Sequence, residues 1–369
     1  MSIAGALSLS RGTAGGFVVI GLGWGSFAAT VPALKSGLGA SDALFGAVLF
    51  VSAVGLVTAM WLAPAADRRL GPLALPVAAL GMGGLFPLLG LAPGPLAFGA
   101  GMLMLGAVSG LTDVLANARV ADREARTGRA LMNVNHAVFS FVYAGAAVVA
   151  GIGRELGLPP AVILAVPLLL TLPLLRGMAV APESAGGESA GAAGPLPAAL
   201  VALCGIIVLI GFTAEAAVES WSALHVERTL GGSAAQGALG PAMLGLTMAI
   251  GRLAGQAVAE RFADTVVLRL AALLGALGAT LAAAAPTPTL AQAGFAVLGM
   301  GMSVLGPIAL AMVGRRVPAA QRTRAISRTA VIGFCGFFLA PAMMGGLSEL
   351  FGLRAAFLAV AAMLLAVPA

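Results

Sequence analysis

Long apolar runs separated by short polar segments divide the chain. Each run is close to the roughly 20 residues that an α-helix needs to cross the hydrocarbon core of a membrane. None shows the alternation of apolar and polar residues that is typical of membrane β-strands, so the pattern predicts an all-α polytopic membrane protein with twelve transmembrane helices. The predicted helices are residues 13–33, 42–63, 72–91, 95–119, 130–152, 158–176, 197–223, 237–258, 265–285, 289–313, 326–347 and 353–369.

A polar segment interrupts this pattern in the middle of the chain. Residues 177–194 are mostly small, and two glutamates are the only charged residues among them. Such a composition is typical of a flexible linker. The segment separates residues 1–176 from residues 195–369, and each part contains six of the apolar runs. The sequence therefore predicts two six-helix bundles joined by this linker.

Short sequence matches between the two parts indicate a duplication. The residues around Glu155 are similar to those around Glu349, which lies 194 residues later. The Asp-Arg pair at 67–68, which follows the second run, is matched by the Glu-Arg pair at 260–261, which follows the eighth. Two matches at equivalent places predict that the bundles are pseudo-symmetric.

Composition and charge exclude the soluble classes of protein. Hydrophobic residues make up 60% of the chain and charged residues only 9%, too few to cover a soluble enzyme or a free nucleic-acid-binding domain. The net charge of +6 is better explained by membrane topology, because fifteen of the 20 Lys and Arg fall on the side that holds the N-terminus. The positive-inside rule then predicts cytoplasmic termini in a bacterial-type inner (plasma) membrane.

The sequence offers no pattern for a metal, a cofactor or a catalytic centre. Its two cysteines, Cys204 and Cys335, lie in apolar runs, far in sequence from its two histidines, His136 and His225. An enzyme is therefore not expected, and neither is a cofactor. A membrane sensor is less favoured than a transporter, because no polar stretch is long enough for a soluble output domain.

The loop after the second run carries a motif. Residues 63–71 read APAADRRLG, which is similar to the G-x-x-x-D-R-x-G-R-R signature of the major facilitator superfamily. With twelve spans in two related halves, the chain resembles that family of secondary transporters as a whole. The resemblance implies that Asp67 and Arg68 belong to a gate on the cytoplasmic side. We expect Asp67 to lie near the start of span eleven, where Arg328 offers positive charge.

Polar residues within spans four and five resemble the fucose permease-like branch of that family. Asp113 lies one helical turn from Asn117, and span five begins with the sequence NVNHAVF. The resemblance implies that the span-four carboxylate serves proton coupling and sugar binding. Counted from the arginines at the cytoplasmic ends of their spans, Asp113 and His136 lie at similar depth. We therefore predict a proton-coupling pair, while mutual hydrogen bonding between packed helices stays the alternative.

Other polar side chains within the spans are candidates for lining a substrate cavity. Asn133, Ser140 and Tyr143 share the helical face of His136 on span five. The predicted substrate-binding set also includes Trp24 on span one, Asn117 on span four and Arg252 on span eight.

Spans seven and eight contain charged side chains that are further candidates. Glu215 is a candidate second coupling group, whereas Glu219 and Trp221 are interpreted as markers of the outer membrane interface. Arg252 either binds an anionic substrate, pairs with a carboxylate of the opposite half, or extends toward the cytoplasm as a lipid-facing side chain.

These observations predict a secondary active transporter that works by alternating access. The favoured function is proton-coupled transport of a small, sugar-like organic solute, and the alternative is a proton-driven efflux pump for amphipathic compounds. We expect the chain to act as a monomer. Its expected partners are a small-molecule substrate, protons and the lipid bilayer, and not nucleic acid.

Overall fold

A computed structural model describes residues 3–129, 131–181, 195–259, 261–318 and 321–368, and these residues form helices without strands. Most of the predicted linker, residues 182–194, and Glu260 of the internal repeat lie outside the described residues. The helices are α1 (Ile3–Leu9), α2 (Arg11–Gly37), α3 (Asp42–Leu70), α4 (Ala74–Leu89), α5 (Pro95–Thr127), α6 (Met132–Glu155), α7 (Pro160–Thr171), α8 (Leu175–Met178), α9 (Ala198–Leu224), α10 (Ala234–Ala259), α11 (Asp264–Ala284), α12 (Pro288–Met302), α13 (Leu305–Arg315) and α14 (Arg322–Leu365).

Ten segments of the described chain are long and apolar enough to cross a membrane. Two of them are long enough to cross twice, at 48 and 42 residues. Each contains a glycine with left-handed backbone, Gly71 (φ 53°) in the first and Gly352 (φ 80°) in the second, a conformation that residues with a Cβ rarely adopt. Dividing the two segments there gives twelve crossings, and the all-α polytopic fold is confirmed.

The helix bounds differ from the apolar runs in several places, of which two show why. Helix α5 continues to Thr127, well past the predicted end at residue 119, because a helix need not stop where its sequence becomes charged and leaves the hydrocarbon. The predicted span 289–313 consists of two helices, α12 and α13, with a turn between them. Apolar character reports where a segment lies in the membrane, and backbone hydrogen bonding sets where the helix ends.

Helices from the two halves of the sequence pack against each other most extensively in two pairs, α3 with α14 and α6 with α10. In the first pair the backbones almost touch, since a Cβ built on Gly46 would overlap the Pro341 carbonyl oxygen. In the second pair, Gly151 faces Ala238. Both contacts lie toward the end of the bundle where α3 begins, which we call the Asp42 end. The opposite end, where α3 finishes, is the Asp67 end.

Candidate functional site

Three polar side chains of α5 and α6 form a hydrogen-bonded chain. Asn117 donates from Nδ2 to Asp113 Oδ1 at 3.0 Å, and its Oδ1 lies 3.2 Å from His136 Nε2. Since the amide nitrogen of Asn117 faces Asp113, its oxygen accepts a hydrogen bond from the Nε2–H of the histidine. The amide of Asn117 thus stands between the carboxylate and the imidazole, which the sequence predicted at similar depth.

Arg252 of α10 connects the two halves of the chain. Its Nη1 donates to Ser140 Oγ of α6 at 2.8 Å, and its Nη2 lies 3.5 Å from Glu215 Oε1 of α9. Ser140 is buried, and Arg252 is close enough to His136 to interact with it electrostatically. The guanidinium therefore points into the helix bundle rather than toward lipid. Its carboxylate partner belongs to its own half of the chain, and the contact with the other half is a hydroxyl.

Glu219 lies one helical turn from Glu215 on α9 and is half-buried. It makes no hydrogen bond or ion pair with a described residue, although it interacts electrostatically with Glu215 and with Tyr143 of α6. The hydroxyl of Tyr143 is buried and has no partner among the described residues. Trp221, which the sequence placed at the outer interface, is fully buried against Phe45 with ring centroids 6.0 Å apart. The interfacial interpretation of Trp221 was wrong, because packing on α3 covers its ring.

The remaining predicted substrate residues lie in different surroundings. Trp24 donates from Nε1 to Ser109 Oγ at 2.8 Å and packs edge-on against Phe86. Asn133 is exposed, and no hydrogen bond joins it to the residues described above. Asn135, in the first turn of the same helix, is buried, and its Nδ2 donates to the Leu131 carbonyl at 2.8 Å. The polar face of α6 thus contributes His136, Ser140 and Tyr143 to one region.

Asp67 has a basic partner that the sequence did not predict. The buried guanidinium of Arg119, two turns before the end of α5, forms a two-point ion pair with the Asp67 carboxylate and also donates from Nε to the Val180 carbonyl at 3.0 Å. Arg68 and Arg328 are exposed. The structure therefore brings Asp67 to span four, because a buried guanidinium requires a carboxylate close to it.

At the Asp42 end, two arginine–carboxylate pairs cross between the halves. Arg228 donates to both oxygens of Asp42, at 2.6 and 2.5 Å, and Arg154 donates to both oxygens of Glu227, at 2.6 and 2.8 Å. Glu227 and Arg228 lie in a π-helical turn, His225–Thr229, that follows α9. Because these two residues are adjacent in one helical turn, their side chains point in different directions. Glu227 therefore binds α6 through Arg154, and Arg228 binds the start of α3 through Asp42. Sequence patterns gave no signal for either pair.

Two glutamates reinforce this closure by accepting backbone hydrogen bonds. Glu349 Oε2 accepts from the Asp42 N–H at 2.7 Å and from the Ala43 N–H at 3.2 Å. Glu155 Oε2 accepts from the Ala235 N–H at 3.0 Å. A carboxylate is favourable at a helix N-terminus, where backbone N–H groups lack partners within the helix. The Asp42 end is thus held by four links that cross between the halves.

Comparison with known proteins agrees with this architecture. The family model of the Major Facilitator Superfamily matches residues 201–369. An uncharacterized MFS-type transporter of Yersinia pestis is 30% identical over 359 residues, which cover 96% of this chain and 92% of that protein. Among solved structures, a point mutant of the nucleoside transporter NupG aligns with a TM-score of 0.76 at 15% identity, covering 98% of each chain. A D-xylose–proton symporter aligns with a TM-score of 0.74 at 17% identity, covering 99% of this chain and 96% of that one. The chain belongs to the major facilitator superfamily of membrane transporters.

Proposed function

We propose that this transporter couples the movement of a small polar organic solute to protons. Two six-helix bundles, residues 1–176 and 195–369, rock about a central cavity while residues 177–194 link them. The observation that carries the proposal is the Asp113 carboxylate, hydrogen-bonded to Asn117 and through it connected to His136, within membrane-spanning helices. Ionisable groups at that depth are costly and mark transport pathways. Asp113 is the proton-coupling group of this proposal.

The distribution of positive charges indicates how the protein is oriented in the membrane. Both termini face the cytoplasm of a bacterial-type inner membrane, so the Asp67 end is cytoplasmic and the Asp42 end faces outward. The ion pairs and backbone contacts at the Asp42 end then correspond to a state that is closed to the outside. The protein works as a monomer, as expected if one chain contains a complete pathway.

The polar groups that meet between α5, α6, α9 and α10 support a hydrophilic solute. Two of the similar structures are named for a nucleoside and for D-xylose, both of which are rich in hydroxyl groups. A sugar-like solute agrees with the fucose permease-like resemblance of spans four and five. Asn117 and Ser140 in this region are suited to hydroxyl groups, which accept and donate hydrogen bonds.

One feature favours a second candidate function, efflux of amphipathic compounds. An open groove of about 340 Å³ lies between α2, α6 and α7. Its lining is almost entirely apolar, and several of the lining side chains, including Val149, Val162 and Leu170, are exposed on the surface of the bundle. A groove of this kind suits a hydrophobic ligand better than a sugar.

Proteoliposomes test the proposal. The purified protein is reconstituted and given pH gradients of each polarity with labelled D-xylose, L-fucose, uridine or tetraphenylphosphonium. Gradient-driven accumulation of a sugar or nucleoside supports the proposed function, and accumulation of only the lipophilic cation supports efflux.

Asp113→Asn keeps the shape and hydrogen-bonding capacity of the side chain but removes its titration, so accumulation is expected to disappear while exchange of labelled for unlabelled solute continues. Asp264→Asn, at an ion pair far from this region, serves as the control. Accumulation by Asp113→Asn would assign coupling to another acid, first of all Glu215.

A further inference from the structure

The carboxylate of Glu219 forms no hydrogen bond or ion pair with a described residue. Arg252 interacts with Glu219 electrostatically, but its guanidinium already binds Glu215 and the Ser140 hydroxyl. A carboxylate without a hydrogen-bonding or ionic partner is unfavourable in a membrane-spanning segment. The described residues therefore give Glu219 no hydrogen-bonding or ionic partner of its own.

A second observation points to a ligand at the same place. The Tyr143 side chain is 1% exposed, its hydroxyl has no partner among the described residues, and it interacts electrostatically with both Glu219 and Glu215. Ser222, one helical turn from Glu219 on α9, is likewise fully buried with an unpartnered hydroxyl. Buried hydroxyl groups normally have hydrogen-bond partners. Glu219 and the hydroxyl groups of Tyr143 and Ser222 thus lack partners in the described part of the chain, as do Trp221 Nε1 on α9 and Asn135 Oδ1 on α6.

Two glycines of α10 leave space for these side chains. A Cβ built on Gly245 would lie 2.8 Å from the Tyr143 ring, and one built on Gly240 would lie 2.8 Å from Ser222 Oγ. Both side chains therefore pack against the same helix, α10. Tyr143 interacts electrostatically with Glu219, and Ser222 lies one helical turn from Glu219, so the three side chains lie in the region between α6, α9 and α10.

We infer that Glu219, Tyr143 and Ser222 form a binding site for a primary ammonium group of the transported solute. The inference rests on the proposed transport function and narrows its substrate class to organic amines, such as amino sugars. A primary ammonium carries one positive charge and three N–H donors. The carboxylate of Glu219 neutralises the charge, and the carboxylate and the two hydroxyl oxygens accept the three hydrogen bonds. A bound proton would neutralise Glu219 but would leave the two hydroxyl groups without partners.

Matched ligand pairs test the inference without a transport assay. Thermal unfolding of the protein in lipid nanodiscs is followed with glucosamine and glucose, and with ethanolamine and ethylene glycol, each at the same millimolar concentrations. Within a pair, the two molecules differ by one amine and are similar in size. The expected result is that at least one amine raises the melting temperature while its neutral partner does not. Choline, a cation without N–H donors, is expected to bind more weakly than ethanolamine.

Two variants locate the effect. Glu219→Gln is expected to raise the dissociation constant for the amine at least tenfold, and Tyr143→Phe to raise it severalfold. Asp264→Asn keeps wild-type binding and controls for the loss of a carboxylate elsewhere. The inference is overturned if no amine stabilises the protein, if the neutral partner stabilises it equally, or if Glu219→Gln binds the amine as tightly as the wild type does. Amine binding without gradient-driven accumulation would contradict the proposed proton coupling but not the ammonium site. Accumulation of neutral sugars without amine binding would contradict the ammonium site but not the proposed proton coupling.

Discussion

Glu155 and Glu349 occupy equivalent positions in the two halves of the chain, and each accepts a backbone hydrogen bond at the start of a helix in the other half. Glu349 binds the first residues of α3, and Glu155 binds Ala235 at the start of α10. The sequence repeat that places these glutamates 194 residues apart is therefore seen in three dimensions as a reciprocal pair of links. Both links must break for the Asp42 end to open.

Removing either charge is expected to favour opening of the Asp42 end. A carboxylate is favourable at a helix N-terminus, so Glu155→Gln or Glu349→Gln should shift the balance toward the open state severalfold. The reporter is the rate of thiol labelling at Ala242→Cys, a buried position, after Cys204 and Cys335 have been replaced by serine. Glu124→Gln is the matched control, because Glu124 also accepts backbone hydrogen bonds, from Leu131 and Met132, but within one half of the chain. Equal labelling in all three variants would contradict the prediction.

The close approach of α3 and α14 provides a steric test of the same closure. In Gly46→Ala the new methyl group would overlap the Pro341 carbonyl oxygen, and backbone atoms relieve such an overlap only by moving apart. We expect this variant to separate the two helices and to label at least tenfold faster at Ala242→Cys. Gly346→Ala adds the same methyl group to α14 where nothing lies within 4 Å, and it should behave as the wild type does. Wild-type labelling of Gly46→Ala would show that the helices do not pack this closely in the membrane.

Asp67 and Asp264 each pair with an arginine at the Asp67 end, in very different surroundings. The Arg119 side chain is 2% exposed, whereas the Arg315 side chain is 58% exposed. Asp67→Asn leaves a buried guanidinium without its counter-charge and should lower the free energy of unfolding by about 3 kcal/mol. Asp264→Asn should cost about 0.5 kcal/mol or less, because an exposed pair is well solvated. Unfolding in a common detergent measures both, and equal losses would contradict this explanation.

Arg252 is expected to stabilise the region around Glu215 through charge rather than through packing alone. Arg252→Gln leaves Glu215 and Glu219 as two carboxylates one turn apart without a cation, and should destabilise the protein by about 3 kcal/mol. Adding Glu215→Gln removes one of those charges, so the double variant should be more stable than Arg252→Gln. A double variant no more stable than the single one would show that the guanidinium acts mainly by filling space.

Local sequence pattern was sufficient to predict the membrane spans and the family. Crossing a membrane requires a long apolar helix, and this requirement is local, so it is visible in each run of residues separately. The same holds for the rarity of polar groups inside spans, which singled out Asp113, His136 and Arg252 before their surroundings were known.

Which of these groups meet depends instead on how the helices pack. Asp67 pairs with Arg119, 52 residues away in sequence, a partner that no sequence pattern indicated. Trp221 was predicted at the outer interface because it lies near the end of a span, yet packing against α3 places it inside the bundle. Which side chains meet depends on which face each helix turns toward a helix distant in sequence. The pattern of apolar and polar residues within one helix does not determine which face of another helix it contacts.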